Sequence, residues 1–218
     1  MNNLESKNME KLRVGVLASG RGSNLQAIID GCRQGLVPAR VVVVLSDKAG
    51  AYALDRARAA GIPAFHVNPQ DFANKHDYER ELVKILQSYG VQLVCLAGYL
   101  RLVGEPLLQA FPNRMMNIHP ALLPAFPGLH GQRDALAYGV KIAGCTVHFV
   151  DEGIDTGPII LQAAVPVYDD DTEDTLAARI LRQEHRLYPE AVKLFAQGRL
   201  RVQGRKVFID QERDHVED

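Results

Sequence analysis

The sequence predicts an α/β fold: an open, mostly parallel sheet wound on both faces by helices, with antiparallel strands and a hairpin near the carboxyl end. Three observations predict it. From Leu12 to Ala97, short apolar runs alternate with segments whose apolar residues recur at helical spacing. A glycine-rich turn separates the first run from the first helical segment. After Pro120 the alternation loosens into a Pro- and Gly-rich stretch, followed by a strand pair and one long helix. Right-handed crossovers then limit the parallel part to very few topologies.

Leu12 to Ala18 is the first apolar run, Ser19-Gly20-Arg21-Gly22-Ser23-Asn24 turns, and Leu25 to Cys32 has helical spacing. Arg40 to Leu45 reads as the second strand. Ala51 to Ala60 reads as a helix stopped at Gly61, Pro63 to Val67 as a short strand, Lys75 to Tyr89 as an amphipathic helix, and Val91 to Ala97 as the fourth strand. The run Arg114-Met115-Met116 opens a further strand. Pro120 has no N–H for a sheet ladder and ends it. Ala121 to Gly131 reads as a functional loop, too rich in Leu122, Leu123, Phe126 and Leu129 to be a linker. Gln132 to Tyr138 is a short helix, and Gly144 to Val150 and Ile159 to Val167 are strands about an acidic turn. Thr172 to Phe195 is a long helix with an acid-rich start, and Leu200 to Ile209 a hairpin broken at Gly204. The tails, residues 1–11 and 211–218, read as disordered, leaving residues 12–210 as a single domain.

With 218 residues and 47% apolar content, the chain can bury a substantial core. Its 25 basic and 26 acidic residues nearly cancel, so no overall basic field favours nucleic acid or an anionic membrane, and an anionic ligand needs local groups. Cys32, Cys95 and Cys145 are odd in number and far apart, which argues against a disulfide framework or zinc knuckle and fits a reducing cytoplasm. The polar first residues lack the apolar stretch of a signal peptide, and no later run is long enough to span a bilayer.

Period two on a strand puts Asn117 and His119 on one face, at a carboxyl-terminal strand end where open α/β sheets bind ligands. Asp155 follows in the acidic turn Asp151-Glu152-Gly153-Ile154-Asp155-Thr156-Gly157-Pro158. An amide donor, an imidazole and a carboxylate that orients it and raises its pKa are the parts an acyl-type transfer needs. The same residues also fit a capping Asn, a satisfied strand-end histidine and a turn Asp. Ser19 to Leu25 offers amides at a helix amino terminus, suited to a monophosphate. The dinucleotide fingerprint would need a glycine at Leu25, and the Walker lysine is absent. A glycine turn capped by Ser23 or Asn24 is the structural reading. Gly98-Tyr99-Leu100-Arg101-Leu102-Val103-Gly104 is apolar for a connection and fits either a wall against a flat heterocycle or a helix start packed on the core. His119, His130, His148 and Asp155 match no common metal-ligand spacing, so no metal is expected. Cys145 reads as a small buried hydrophobe, and Glu184 with His185 as a solvated helix face.

Asn117-Ile118-His119-Pro120-Ala121-Leu122-Leu123-Pro124, Pro127-Gly128, Val147-His148-Phe149-Val150 and Asp155-Thr156-Gly157-Pro158-Ile159-Ile160 together resemble the folate-dependent formyltransferases, a Rossmann-like family. Ser19 to Gln26 and Gln183-Glu184-His185-Arg186-Leu187-Tyr188-Pro189 narrow the resemblance to the branch acting on glycinamide ribonucleotide in purine synthesis. It covers about Leu12 to Ile209. The resemblance implies transfer of the formyl group of 10-formyltetrahydrofolate, a co-substrate, to the glycinamide amine. It gives Asn117 the oxyanion and a folate contact, His119 the proton, and Asp155 the tuning of that histidine. Gly22, Ser23 and Asn24 would hold the nucleotide phosphate and Glu184 the ribose hydroxyls. Leu100, Arg101, Leu102 and Val103 would line the pterin pocket, with Lys75 near the glutamate tail. Residues of about 12–112 would then form a phosphate-binding half and 113–210 a folate and catalytic half. Lys75 stands where relatives commonly have Arg, Leu181 where several have a polar residue, and Gln132 where some have His. Small-molecule substrates and a monomer or weak homodimer are expected. The alternatives are a hydrolase of the same fold, which generally has an extra amino-terminal domain; a relative formylating methionyl-tRNA, which adds a carboxyl-terminal RNA-binding domain; and a non-catalytic folate or nucleotide sensor.

Overall fold

The computed structural model describes residues 10–211, so most of the two expected disordered tails, 1–9 and 212–218, lies outside the described residues. Nine strands form one sheet: β1 (Leu12–Leu17), β2 (Ala39–Ser46), β3 (Ala64–His66), β4 (Leu93–Leu96), β5 (Met115–His119), β6 (Ile142–Phe149), β7 (Ile159–Pro166), β8 (Leu200–Gln203) and β9 (Lys206–Ile209). Their order is β3-β2-β1-β4-β5-β6-β7-β9-β8. The first five pair in parallel, β5–β6–β7 are antiparallel, and the terminal hairpin joins through a parallel β7–β9 contact. The expected mostly parallel sheet with antiparallel strands late in the chain is therefore present.

Six helices cover it: α1 (Ser23–Arg33), α2 (Tyr52–Ala59), α3 (Lys75–Ser88), α4 (Glu105–Ala110), α5 (Gly131–Tyr138) and α6 (Glu173–Ala196). Alternate strand residues feed two cores. Val14, Val16 and Val44 pack with Leu25, Ile28, Leu54, Ile180 and Tyr188 on the face of α1, α2 and α6. Leu17, Val43 and Leu45 pack with Tyr78, Leu82, Leu86 and Leu107 on the face of α3 and α4. Truncating a fully buried leucine such as Leu17 to Ala would cost about 2–5 kcal/mol. The six-residue α4 and a short 3₁₀ turn at Pro69–Asp71 are absent from the sequence reading, because each is too short to show periodicity.

The topology places the site. From β1 the chain runs outward to β2 and β3, then returns to β4 on the other side of β1 and continues to β5. The loops after β1 and β4 thus diverge at a switch point, where open α/β sheets bind ligands. Leu17 pairs with Leu96, and Leu96 with Asn117, so the ends of β1, β4 and β5 lie side by side. The Tyr188 hydroxyl of α6, one turn beyond Glu184, lies 2.9 Å from the carbonyls of both Leu96 and Met116 and ties that helix to the same edge. No helix among the described residues is long and apolar enough to cross a membrane.

Candidate active site

Two clusters occupy the carboxyl edge of the sheet. The first is built from main chain. Gly22 adopts φ 70°, and a Cβ there would come within 2.7 Å of the Ala53 Cα, so glycine is required both by conformation and by the close approach of α2. The turn enters α1 with no side-chain cap, which removes the capping reading of Ser23 and Asn24 and leaves the first amides of α1 without a side-chain acceptor. Asn24 instead sends its Nδ2 across to Glu184 Oε2 at 2.8 Å, and its own Oδ1 is buried with no partner. Glu184 is 7% exposed, not on a solvated face. Burial pushes its carboxyl above the usual range, opposed by the Asn24 hydrogen bond. Its neighbour His185 carries a buried Nε2 without a partner, and burial beside the Arg56 charge pushes that ring down. A buried acid of raised pKa meeting an unsatisfied amide oxygen is a site prepared for hydroxyl groups, which both donate and accept.

The second cluster is built from side chains on β5, β6 and the turn after β6. Asn117 and His119 share a face, and Asp155 reaches both. Asp155 Oδ1 accepts from Asn117 Nδ2 at 3.3 Å, Oδ2 accepts from the Gly128 N–H at 2.8 Å, and His119 Nδ1 lies 3.4 Å from Oδ2. His148, directly across the sheet from Asn117, joins them, its Nε2 3.3 Å from Asn117 Nδ2 and 3.6 Å from Asp155 Oδ1. The longer distance is too long for a hydrogen bond. Burial alone would raise the Asp155 carboxyl. The adjacent His148, the Gly128 N–H and the His119 ring more than offset it and hold the group below its usual range.

Carbonyls fix the proton positions, since a carbonyl only accepts. His119 Nε2 lies 2.7 Å from the Phe126 carbonyl and must donate to it, so Nδ1, facing Asp155, is the nitrogen left to gain or lose a proton. His148 Nδ1 likewise donates to the Phe149 carbonyl at 2.8 Å, leaving Nε2 to accept from Asn117. Asp155 and Phe126 hold these contacts from left-handed backbone, at φ 54° and 52°. Neither is glycine, so each conformation costs on the order of 1 kcal/mol or more and is held by its surroundings. His119 itself is 4% exposed.

The remaining expected residues fall on the loop after β4. Leu100 and Leu102 project into solvent, 62% and 57% exposed, from an irregular segment; the alternative of a helix start is not realised until Glu105. Ser19 Oγ accepts from the Leu100 N–H at 3.1 Å and donates to Asp47 at 2.6 Å. The buried Glu79 accepts from the Gly104 N–H at 2.8 Å, with Lys75 Nζ 3.6 Å away, so Lys75 stands at the far end of this loop. The Arg101 guanidinium lies over the Tyr78 ring, 5.5 Å from its centre. Cys145 is buried and its thiol is pushed up to about 12, which disables it as a nucleophile. His130 precedes α5. No group of three or more His, Cys, Asp or Glu suited to a metal occurs among the described residues.

Against known families, residues 12–192 match the formyl transferase model. The chain belongs to the formyl transferase family. Phosphoribosylglycinamide formyltransferase of Escherichia coli (strain K12) is 43% identical over 202 residues, covering 93% of this chain and 95% of its own length. The trifunctional purine biosynthetic protein adenosine-3 of Drosophila melanogaster is 50% identical over 188 residues, but this chain spans only 14% of that protein. Among solved structures, glycinamide ribonucleotide transformylase 1 from Symbiobacterium toebii is 60% identical with a TM-score of 0.92, covering 93% of this chain and 95% of the other.

Sequence reasoning gave His148 no role, and it placed Glu184 on a solvated face until the family resemblance assigned that acid to the ribose hydroxyls. His148 lies in the strand-like run Thr146-Val147-His148-Phe149 and becomes a site residue only once β6 is seen to pair with β5. For Glu184 a signal existed. Leu176, Ile180, Glu184 and Tyr188 form one i, i+4 row along α6, and all four are buried. An acid within an apolar row is the mark of a buried functional carboxylate.

Proposed function

We propose that this chain transfers the formyl group of 10-formyltetrahydrofolate to the amine of 5'-phosphoribosylglycinamide, giving N-formylglycinamide ribonucleotide and tetrahydrofolate in purine synthesis. The observation that carries the proposal is the meeting of Asn117, His119 and Asp155 at the sheet edge of a formyl transferase chain. The amine attacks the formyl carbon, forming a C–N bond and a tetrahedral oxyanion. Asn117 Nδ2 stabilises that oxyanion. Its present contacts are long, at 3.3 Å, and a localised oxyanion is the stronger acceptor. As the bond to the folate nitrogen breaks, His119 gives that nitrogen a proton from Nδ1, and the proton lost by the attacking amine returns by way of Asp155. Asp155, kept ionised, orients the ring and balances its charge.

Gly22, Ser23 and Asn24 present α1 amides to the phosphate, and Glu184 takes the ribose hydroxyls. Leu100, Arg101, Leu102 and Val103 wall the pterin, and Lys75 meets the folate tail. This divides the domain into a phosphate-binding half over about residues 12–112 and a folate and catalytic half over 113–210. The free, buried Cys32, Cys95 and Cys145 suit a reducing cytoplasm, with the chain acting as a monomer or weak homodimer on small molecules. Labelling the formyl carbon tests the reading. With the ribonucleotide present, label is expected in the N-formyl product, whereas label released as formate at the same rate with or without the ribonucleotide would make the chain a hydrolase.

A further inference from the structure

His119, Thr146 and Gln162 form a row of directly paired residues across β5, β6 and β7. Residues paired in register share a face of a sheet, so the three side chains rise together under the loop that follows β5. Each of them binds that loop. His119 Nε2 meets the Phe126 carbonyl at 2.7 Å. The Thr146 hydroxyl donates to the Ala121 carbonyl at 2.7 Å and accepts from the Leu123 N–H at 3.0 Å. Gln162 Nε2 donates to the Leu123 carbonyl at 2.9 Å and to Thr146 Oγ1 at 3.0 Å. The hydroxyl thus uses its donor and both lone pairs, the amide both protons, and Leu123 both of its backbone groups.

Such a saturated network holds one geometry, because shifting the loop would leave several groups unpaired together. The loop has no helix or strand of its own between Pro120 and Gly131. It nonetheless supplies both main-chain groups that set the catalytic pair, the Phe126 carbonyl on His119 and the Gly128 N–H on Asp155. We propose that Gln162, acting through Thr146 and Leu123, is a positioning residue for the transfer: it pins the loop that selects the His119 tautomer and aims Asp155. Gln162 is solvent-exposed, and its hydrogen bonds run to Leu123 and Thr146. The part of this inference that concerns turnover rests on the proposed formyl transfer.

Gln162→Glu tests it, since the carboxylate keeps the size but cannot donate to the Leu123 carbonyl. Misplacing reacting groups by a fraction of an ångström to one ångström costs on the order of 10 to 10² in rate, so kcat should fall within that range. KM for the ribonucleotide should stay at its wild-type value, Tm should fall by no more than a few degrees, and the acid limb of the pH–rate profile should move. Thr146→Val should reproduce the loss, and Thr146→Ser, which retains the hydroxyl, should recover most of it. Nitrogen-15 NMR of the His119 ring without substrate gives a reading independent of turnover. In its neutral form the wild-type ring should carry its proton on Nε2 alone, and that of Gln162→Glu should be a mixture of tautomers. Wild-type kcat together with an unmixed tautomer in both Gln162→Glu and Thr146→Val would overturn the clamp. A wild-type protein that forms no N-formyl product would overturn the proposed function and leave the NMR result to decide the clamp.

Discussion

The two clusters at the sheet edge solve different problems with different materials. The turn at Gly22 to Asn24 presents backbone, with Gly22 packed so closely on Ala53 that no side chain fits there, and the Asn24 amide joins it to Glu184 by one short hydrogen bond. The Asn117, His119, His148 and Asp155 cluster is made of side chains from sequence-distant segments, with separations of 3.3–3.6 Å and with Asp155 and the Phe126 beside it in left-handed backbone. Tight, rigid main chain suits binding a fixed anion. Longer contacts among ionisable groups suit a reaction in which protons move and a new acceptor appears. Perturbing the first region should therefore alter substrate affinity, and perturbing the second should alter turnover.

The largest expected effect lies in the second region. Asp155→Asn keeps the shape and removes the charge beside His119, and should lower kcat by roughly 10² to 10⁴. A near-normal kcat, with turnover abolished instead by Lys75→Ala, would move the chemistry to the loop after β4. Asn117→Ala removes the proposed oxyanion donor and should cost on the order of 10² to 10³ in kcat with the fold intact by circular dichroism.

Smaller effects belong to the first region. With the phosphate held as proposed, the phosphate-free nucleoside would forfeit charge-assisted hydrogen bonds worth about 1.5–3 kcal/mol each, so its kcat/KM should be lower by roughly tenfold or more. Equal values for the two acceptors would remove the phosphate assignment. Gly22→Ala should raise KM for the ribonucleotide and lower stability by about 1–3 kcal/mol, through the positive φ and the clash with Ala53.

The acids of the two regions should respond to pH in opposite directions. Asp155 is held below its usual value of 3.8, so its contribution to stability is full above that pH and disappears as pH falls through the lowered value. Glu184 is held above its usual value of 4.5, so ionising it in the folded protein costs stability as pH rises through the raised value. Glu184→Gln should accordingly be more stable than wild type at neutral pH, with the difference vanishing in acid, while binding the ribonucleotide less well. Urea titrations across pH check both slopes. Exhaustive chelation should have no effect on the rate in either region, and a loss restored by a divalent ion would reverse the expectation that no metal takes part.

The two regions also differed in how far they could be read from sequence. Gly22 announces its turn, because only glycine serves where φ is positive and a neighbour's backbone is close. Asn117 and His119 were legible because Pro120 marks where their strand ends. Their convergence with Asp155 depends on how β6 returns beside β5, which local spacing does not encode, and His148 was hidden for the same reason. The strands themselves were legible within a residue or two, since buried parallel strands are continuous apolar runs.

One kinetic square tests the division of labour most directly: wild type and Asp155→Asn, each with glycinamide ribonucleotide and with its phosphate-free nucleoside. Independent sites have additive effects on free energy. The loss of kcat caused by Asp155→Asn should be the same factor with either acceptor, and the penalty for the missing phosphate should appear in KM for both proteins. Asp155→Asn retaining wild-type kcat, or a kcat loss that depends strongly on the phosphate, would contradict the separation of binding from chemistry.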